Sequence, residues 1–226
     1  VSHFQNKEIM KQLLFIFVFI CSFSLSAQHR NKDGNRIGIM AGITQTALKT
    51  SNFATKPGTG WIGGLSVRGN YYNNFSAVFG MEFFENNFSV ATVKGLVLEE
   101  VDMKSMGVQI RLLASYNLVK DHVSLDFGPV LQVNDKLKIN SKSELNTVSG
   151  TLLTAKEITD VTKINGNLYA GISAGTRRVR AVVYYQYGFT NFLNNLNKDQ
   201  TLKVKNNNSS FKGNLGIISG QLLFNL

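Results

Sequence analysis

The chain has 226 residues, 17% of them charged, with 20 Gly, 16 Phe, 7 Tyr and only 2 Pro. That length suits one large domain or two small ones, and no Pro- or Ser-rich linker divides it, while the scarcity of Ala-, Leu-, Glu- and Lys-rich runs argues against a helical protein and for aromatic, glycine-kinked strands. The formal charge of +10 comes from Lys and Arg scattered through the chain; without a clustered reader motif this argues against nucleic acid and fits anionic outer-membrane lipid or lipopolysaccharide phosphate better.

The N-terminus predicts the compartment. Lys11 precedes an apolar run from Leu13 to Phe23, closed by Ser24-Leu25-Ser26-Ala27. As a helix the run spans roughly 20 Å, short of the roughly 30 Å hydrocarbon core, and its small-residue end reads as a secretory signal peptide cut between Ala27 and Gln28. Residues 1–27 are therefore expected to be the signal, with Met10 as the start and Val1 to Ile9 an upstream extension, followed by a tail over 28–35. Cys21 is the only cysteine and follows Phe19-Ile20, which is the wrong context for lipidation. The cleaved chain then has neither a disulfide framework nor a thiolate metal site.

Beyond the tail, apolar residues recur at every second position, the signature of half-buried strands. Arg36 to Thr46 sets Ile37, Ile39, Ala41 and Ile43 against Gly38, Met40, Gly42 and Thr44. A loop through Lys56-Pro57-Gly58 leads to a second strand, Trp61 to Tyr72, with Leu65, Val67 and Tyr71 on one face and Ser66, Arg68 and Asn70 on the other. Asn73-Asn74 forms a tight turn. A third strand, Phe75 to Glu85, carries Phe75, Ala77, Phe79, Met81 and Phe83 opposite Ser76, Gly80 and Glu82. A longer polar stretch, Asn86 to Asp102, then precedes a hairpin from Met106 to Val133 that turns at Lys120-Asp121-His122. Its apolar faces are Met106, Val108, Ile110, Leu112, Ala114, Tyr116 and then Val123, Leu125, Phe127, Pro129, Leu131, Val133; the polar faces carry Arg111 and Asp126. Lys136 to Ile164 reads as a long aperiodic loop. Asn165 to Gly175 and Val179 to Phe192 make a further hairpin around Arg177-Arg178, with Arg180 on the polar face. After an Asn- and Lys-rich loop, Leu193 to Ser209, the last strand runs from Ser210 to Phe224. Its phase changes, Phe211, Leu215 and Ile217 against Ile218, Leu222 and Phe224, which predicts a bulge or a face change near Ser219.

These are eight strands joined by long connections around Lys56, Val93, Asn146 and Asp199 and short ones at Asn73, Asp121 and Arg177. The pattern predicts an all-β, eight-stranded antiparallel up-and-down transmembrane β-barrel over 36–226, integral to the cell outer membrane, with both termini periplasmic and no need of an oligomer. A soluble lipocalin-like barrel has the same strand number but reverses the faces. Its exterior would then be the Gly- and Ser-rich set that contains Arg68, Glu82, Arg111, Asp126 and Arg180. Trp61, Tyr71, Tyr72, Tyr116, Tyr185 and Tyr187 lie towards strand ends, where interfacial girdles belong, although strand propensity also favours aromatics.

The succession Met106 to Tyr116, a charged turn, and Leu125-Asp126-Phe127-Gly128-Pro129 resembles the PorT-like small outer-membrane β-barrels of Bacteroidota. Tyr184-Tyr185-Gln186-Tyr187-Gly188-Phe189-Thr190-Asn191 is similar to that family's penultimate strand, with Phe189 in place of the usual Leu. The resemblance covers most of the mature chain and implies an outer-membrane barrel; the founding member's involvement in type IX secretion implies envelope or secretion proteins as partners.

The five charges on the polar faces are the candidate functional residues: Arg68, Glu82, Arg111, Asp126 and Arg180. An eight-stranded barrel is only just wide enough for its own side chains, and unpaired buried charges are costly. The expectation is a salt-bridged plug that shuts the lumen; an Arg-lined path for a small solute or ligand is the alternative. Catalysis is not expected, because His29 falls in the tail and His122 in a turn, away from the rim where a base would be needed. Gly58-Thr59-Gly60-Trp61-Ile62-Gly63 matches a dinucleotide pattern without the strand and helix that give it meaning. Glu99, Glu100 and Asp102 read as solvated loop carboxylates rather than a cation site. No cofactor is expected.

Overall fold

The computed structural model describes residues 35–72 and 74–226. The expected signal peptide, the cleavage point at Ala27 and Gln28, and His29 lie outside the described residues, as do the side chains of Tyr71 and Tyr72.

Eight strands form the body: β1 Arg36–Thr50, β2 Thr55–Tyr72, β3 Phe75–Lys94, β4 Val97–Val119, β5 Val123–Asn134, β6 Ile164–Gly175, β7 Val179–Gly188 and β8 Gly213–Asn225. Each pairs antiparallel with the next, and β8 returns to pair with β1 from Gly38↔Asn225 to Thr50↔Gly213. The ring is closed, so the fold is an eight-stranded antiparallel up-and-down β-barrel without free lateral edges. The ladder between β4 and β5 has a gap, between the pairs Arg111↔Val130 and Ala114↔Phe127, where Pro129 has no N–H to give; the β2–β3 ladder is interrupted between Pro57↔Phe88 and Trp61↔Glu85.

Over most of its height the barrel has its apolar residues outside. Ile39, Ile43, Leu65, Phe79, Phe83, Leu112, Phe127, Ile172, Val183 and Leu222 are exposed, whereas their neighbours Met40, Thr44, Ser66, Gly80, Glu82, Arg111, Asp126, Ser173 and Gln221 are buried. Along β4 the outward apolar run extends from Val108 to Leu118. A tilted strand needs roughly 9–11 residues to cross a hydrocarbon core, so this belt has the length of a membrane span.

Towards the loop end the sense reverses. Beyond Phe83 on β3 and Val108 on β4 the outward residues become Glu85, Asn87 and Ser89, with Glu100, Asp102 and Lys104 across the ladder. The inward ones become Phe88, Val90, Val101 and Met103, all buried. The stretch 86–102, expected as a polar loop, is therefore the upper part of β3 and β4, turning at Gly95, whose φ is +64°. Lys56, Pro57 and Gly58 likewise belong to β2, so the long connections expected there are a short turn over 51–54 and a tight hairpin. Here the strands leave the apolar belt and build a water-facing extension whose core is inside.

That core is closed by the two connections that really are long. Residues 135–163 contain a single 3-10 turn, Ser141–Ser143, and a two-residue strand, Thr147–Val148, which pairs with Val93 and Thr92 of β3. Residues 189–212 contain a 3-10 turn, Asn194–Lys198, and one short helix, α1, Gln200–Lys205. Together they drop Leu153, Ile158, Val161, Phe192, Leu196 and Phe211 into the mouth against Leu48, Phe88 and Leu215. β7 ends at Gly188 rather than Phe192, because Phe192 is drawn into this core.

Of the two expectations for β8, a bulge or a face change near Ser219, the structure shows the second: the apolar residues pass from the inside at Leu215 and Ile217 to the outside at Ile218, Leu222 and Phe224. Its register to β1 and β7 is continuous, and the change lies in the lining: Leu215 joins the apolar mouth core, Ile217 is buried below it, and Ser219 and Gln221 point into the polar lumen. At the other end, Asp121 takes φ +64° in the β4–β5 turn and is bonded by Arg36 at the start of β1 and by Arg177 of the β6–β7 turn, the latter at 2.7 Å.

Candidate functional site

Strand period alone aims side chains into the lumen, and glycines make room for them: a Cβ on Gly80 would lie 2.5 Å from Arg111 Nε. The five charged residues singled out above all point inward and are between 0% and 7% exposed: Arg68 7%, Glu82 0%, Arg111 2%, Asp126 4% and Arg180 2%. They do not make one network. The barrel separates them into two layers.

The layer nearer the turns is organised on Asp126. Arg68 Nη2 donates to both carboxylate oxygens of Asp126, at 3.3 and 3.4 Å, while its Nη1 donates to Ser115 Oγ at 2.5 Å. Ser124 donates to Asp126 at 3.3 Å and shares a 2.7 Å bond with Ser173. Arg180 forms no ion pair with Asp126. It donates to Ser124 Oγ, Ser173 Oγ and the Ser173 carbonyl at 3.0–3.2 Å and to the Asp121 carbonyl at 3.0 Å.

The second layer is centred on Glu82, whose two oxygens accept from Gln109 Nε2 at 2.9 Å and Gln221 Nε2 at 3.0 Å. Arg111 pairs with Glu82 at 3.5 Å, donates to Met40 Sδ at 2.7 Å and lies 5.7 Å from the centre of the Tyr169 ring, which stacks on Tyr184 with centroids 4.4 Å apart. Its Nε makes no hydrogen bond among the described residues, so the attraction to Glu82 carries the compensation of that charge. Apolar side chains, Val78, Leu113, Val130, Val182 and Leu223, fill the space between. Above, Gln132, Asn134, Asn165 and Asn167 bond to one another at 3.0–3.3 Å, and the apolar mouth closes over them. Three guanidiniums face two carboxylates, and all five side chains are buried.

Outside the barrel wall, burial pushes the Asp121 carboxyl up, but the hydrogen bonds and charges of Arg36 and Arg177 outweigh it and hold it below the usual carboxylate value. Glu157 is balanced the same way, raised by burial and brought lower overall by Lys205 and Thr154. His122 is exposed in its turn, its Nδ1 2.9 Å from the Lys120 carbonyl. Glu100 is bonded to Lys56, Asp102 accepts from Ser89 at 2.7 Å, and Glu99 accepts from Asn146 at 3.2 Å. These carboxylates thus sit on strands and not on a loop, and no group of three His, Cys, Asp or Glu is arranged to hold a metal ion among the described residues.

No family model matches the chain. No curated protein matches it either. Among solved structures it is similar to the attachment invasion locus protein Ail of Yersinia pestis in complex with the heparin analogue sucrose octasulfate, at 13% identity and TM-score 0.47 over 85% of this chain and 99% of that one. It is similar to Neisserial surface protein A at 12% identity and TM-score 0.47, again over 85% and 99%. The outer membrane protein OprG of Pseudomonas aeruginosa gives 11% identity and TM-score 0.44 over 86% and 95%.

The mouth core was not visible as a site in the sequence. A signal for it existed in the inward apolar residues of 88–103, which keep a strict period of two once their opposite phase is allowed for.

Proposed function

We propose that this chain is an integral outer-membrane β-barrel whose lumen is sealed by its own side chains, and that it works as a structural or interaction component of the cell envelope, both termini facing the periplasm. One observation carries the reading: the reversal of the amphipathic sense along β3 and β4, apolar outside between the turns and Phe83, apolar inside beyond it. A soluble barrel has no cause to expose Phe79, Phe83, Leu112 and Phe127 in one belt and then bury Phe88, Val90 and Met103 a few residues later; a barrel that passes from lipid into water does. The buried Glu82–Arg111 and Arg68–Asp126 pairs favour a closed lumen over a conducting one.

The role in assembly, and the link to type IX secretion, rest on the PorT-like resemblance. The test is extraction of the tagged protein from outer membranes in mild detergent, with unheated and boiled samples compared on a gel and co-eluting proteins identified. The reading expects a heat-dependent shift in migration, specific envelope proteins in the eluate and no channel activity in planar bilayers. A soluble, unshifted protein overturns the membrane reading, and steady single-channel conductance overturns the sealed lumen in favour of solute transport.

A further inference from the structure

On the wall formed by β5, β6 and the start of the second long connection, the apolar belt ends under a basic hollow. Val133 pairs with Ile164, and both are exposed, as are Leu131 opposite Gly166 and Phe189 beyond it. Gly166 is what lets this shelf form: a Cβ there would lie 2.6 Å from the Phe189 ring. Directly above, Lys136, Lys163 and Lys198 line a hollow of about 500 Å3 together with Ile164, Thr162 and Asn194. Lys136 is paired with Asp160 at 3.3 Å, and Asn195 holds the other Asp160 oxygen at 2.8 Å. Lys163 and Lys198 form no ion pair among the described residues. Sharing Asp160, Asn195 and Lys198 with this hollow, a second one of about 720 Å3 continues upward along Asp199, Gln200 and Thr201, which offer amide, hydroxyl and carboxylate groups.

We propose that this surface binds a phosphorylated glycolipid of the outer leaflet. Its acyl chains lie on the shelf of Val133, Ile164 and Phe189, its phosphate is held by Lys163 and Lys198 with Lys136 beside them, and its sugar enters the upper hollow. The stacking order is what selects the class. Apolar chain, then phosphate, then polyhydroxyl group is the order of a phosphoglycolipid viewed from the membrane outward, and the wall presents apolar shelf, lysines and polar hollow in the same order. Lysines at a membrane surface each strengthen the attraction to anionic lipid, and Asn, Gln and Asp side chains are the usual partners of sugar hydroxyls. A phospholipid without a sugar leaves the upper hollow unused, and a free phosphate leaves the shelf unused. This inference rests on the outer-membrane reading above.

The experiment uses the full barrel in mild detergent, titrated with bis-phosphorylated lipid A, with phosphatidylglycerol and with inorganic phosphate, bound species being read by native mass spectrometry. The wild type and the K163E/K198E double variant are compared, each checked for the heat-dependent gel shift. The expected result is lipid A retention, phosphatidylglycerol weaker by about tenfold, a loss of about tenfold or more in the double variant, and no displacement by inorganic phosphate. Equal retention by the variant, equal binding of phosphatidylglycerol, or displacement by phosphate overturns the site. If the wild type shows the gel shift and binds no lipid A, this inference alone fails; if the shift itself is missing, the membrane reading fails with it.

Discussion

Replacing Glu82 by Gln removes one charge at the centre of the lumen while keeping the shape. Glu82 is fully buried, its two oxygens accept from Gln109 and Gln221, and it is the carboxylate paired with Arg111. In the variant the Arg111 guanidinium, itself 2% exposed, loses its counter-charge, and an amide NH2 is set against an amide donor where an acceptor stood. Breaking a buried pair from one side costs about 3–5 kcal/mol, whereas replacing both partners by packed neutral residues is neutral or stabilising by about 1–4 kcal/mol. E82Q should therefore be less stable by about 3–5 kcal/mol, and E82Q with R111M should recover most of that loss. The assay is urea unfolding of the barrel in lipid vesicles, followed by gel migration and by Trp61 fluorescence. Unchanged stability in E82Q, or a double variant as weak as the single one, would refute the claim that this pair governs the lumen.

At the turn end, D121N should lose its charge and one of the two oxygens that accept from Arg36 and Arg177, costing about 1–3 kcal/mol, visible as a lower unfolding midpoint in urea at neutral pH. The Asp121 carboxyl is held below its ordinary value in the folded chain, so its contribution is present above the unfolded value of about 3.9 and disappears as pH falls through the folded one. Wild type should weaken over that acid range, and D121N should lack this component when the midpoints are compared. In the mouth, F211A should leave a cavity worth about 3–5 kcal/mol in the core that Phe211 shares with Phe192 and Leu196. Limited proteolysis should then cut within 135–163 and 189–212 while the heat-dependent gel shift persists, because the loops open locally and the strand ladder does not.

The strand faces were legible because period two needs no partner to be read. Every outward residue from Phe75 to Phe83 and from Val108 to Tyr116 follows from alternation alone. Height and register were not, since alternation tells which way a side chain points and nothing about what it meets across the barrel. Arg111 and Asp126 both point inward, yet one pairs with Glu82 and the other with Arg68, so replacing Arg111 and Asp126 together breaks two separate pairs and strands Glu82 and Arg68. That variant should be less stable than E82Q with R111M. The upper part of β3 and β4 was hidden because its polar residues face out, which reads as a loop when apolar-out is taken as the rule for the whole chain. The same reversal lies behind the phase change read in β8: Leu215 and Ser219 share one face, but the first meets the mouth core and the second the lumen. The long connections gave no period because their buried residues, Leu153, Ile158 and Phe211 among them, are irregularly spaced and ordered only by the barrel beneath.

The reversal itself is the most direct test of the account. Single cysteines placed from position 100 to position 118 along β4, in a C21S background reconstituted into lipid vesicles, can be labelled with a fluorophore and exposed to a lipid-borne and a water-soluble quencher. The account predicts lipid quenching at 108, 110, 112, 114 and 116, aqueous quenching at 100, 102 and 104, and weak quenching by either at the inward positions 109, 111, 113 and 115. Aqueous quenching at all outward positions along the strand would contradict it.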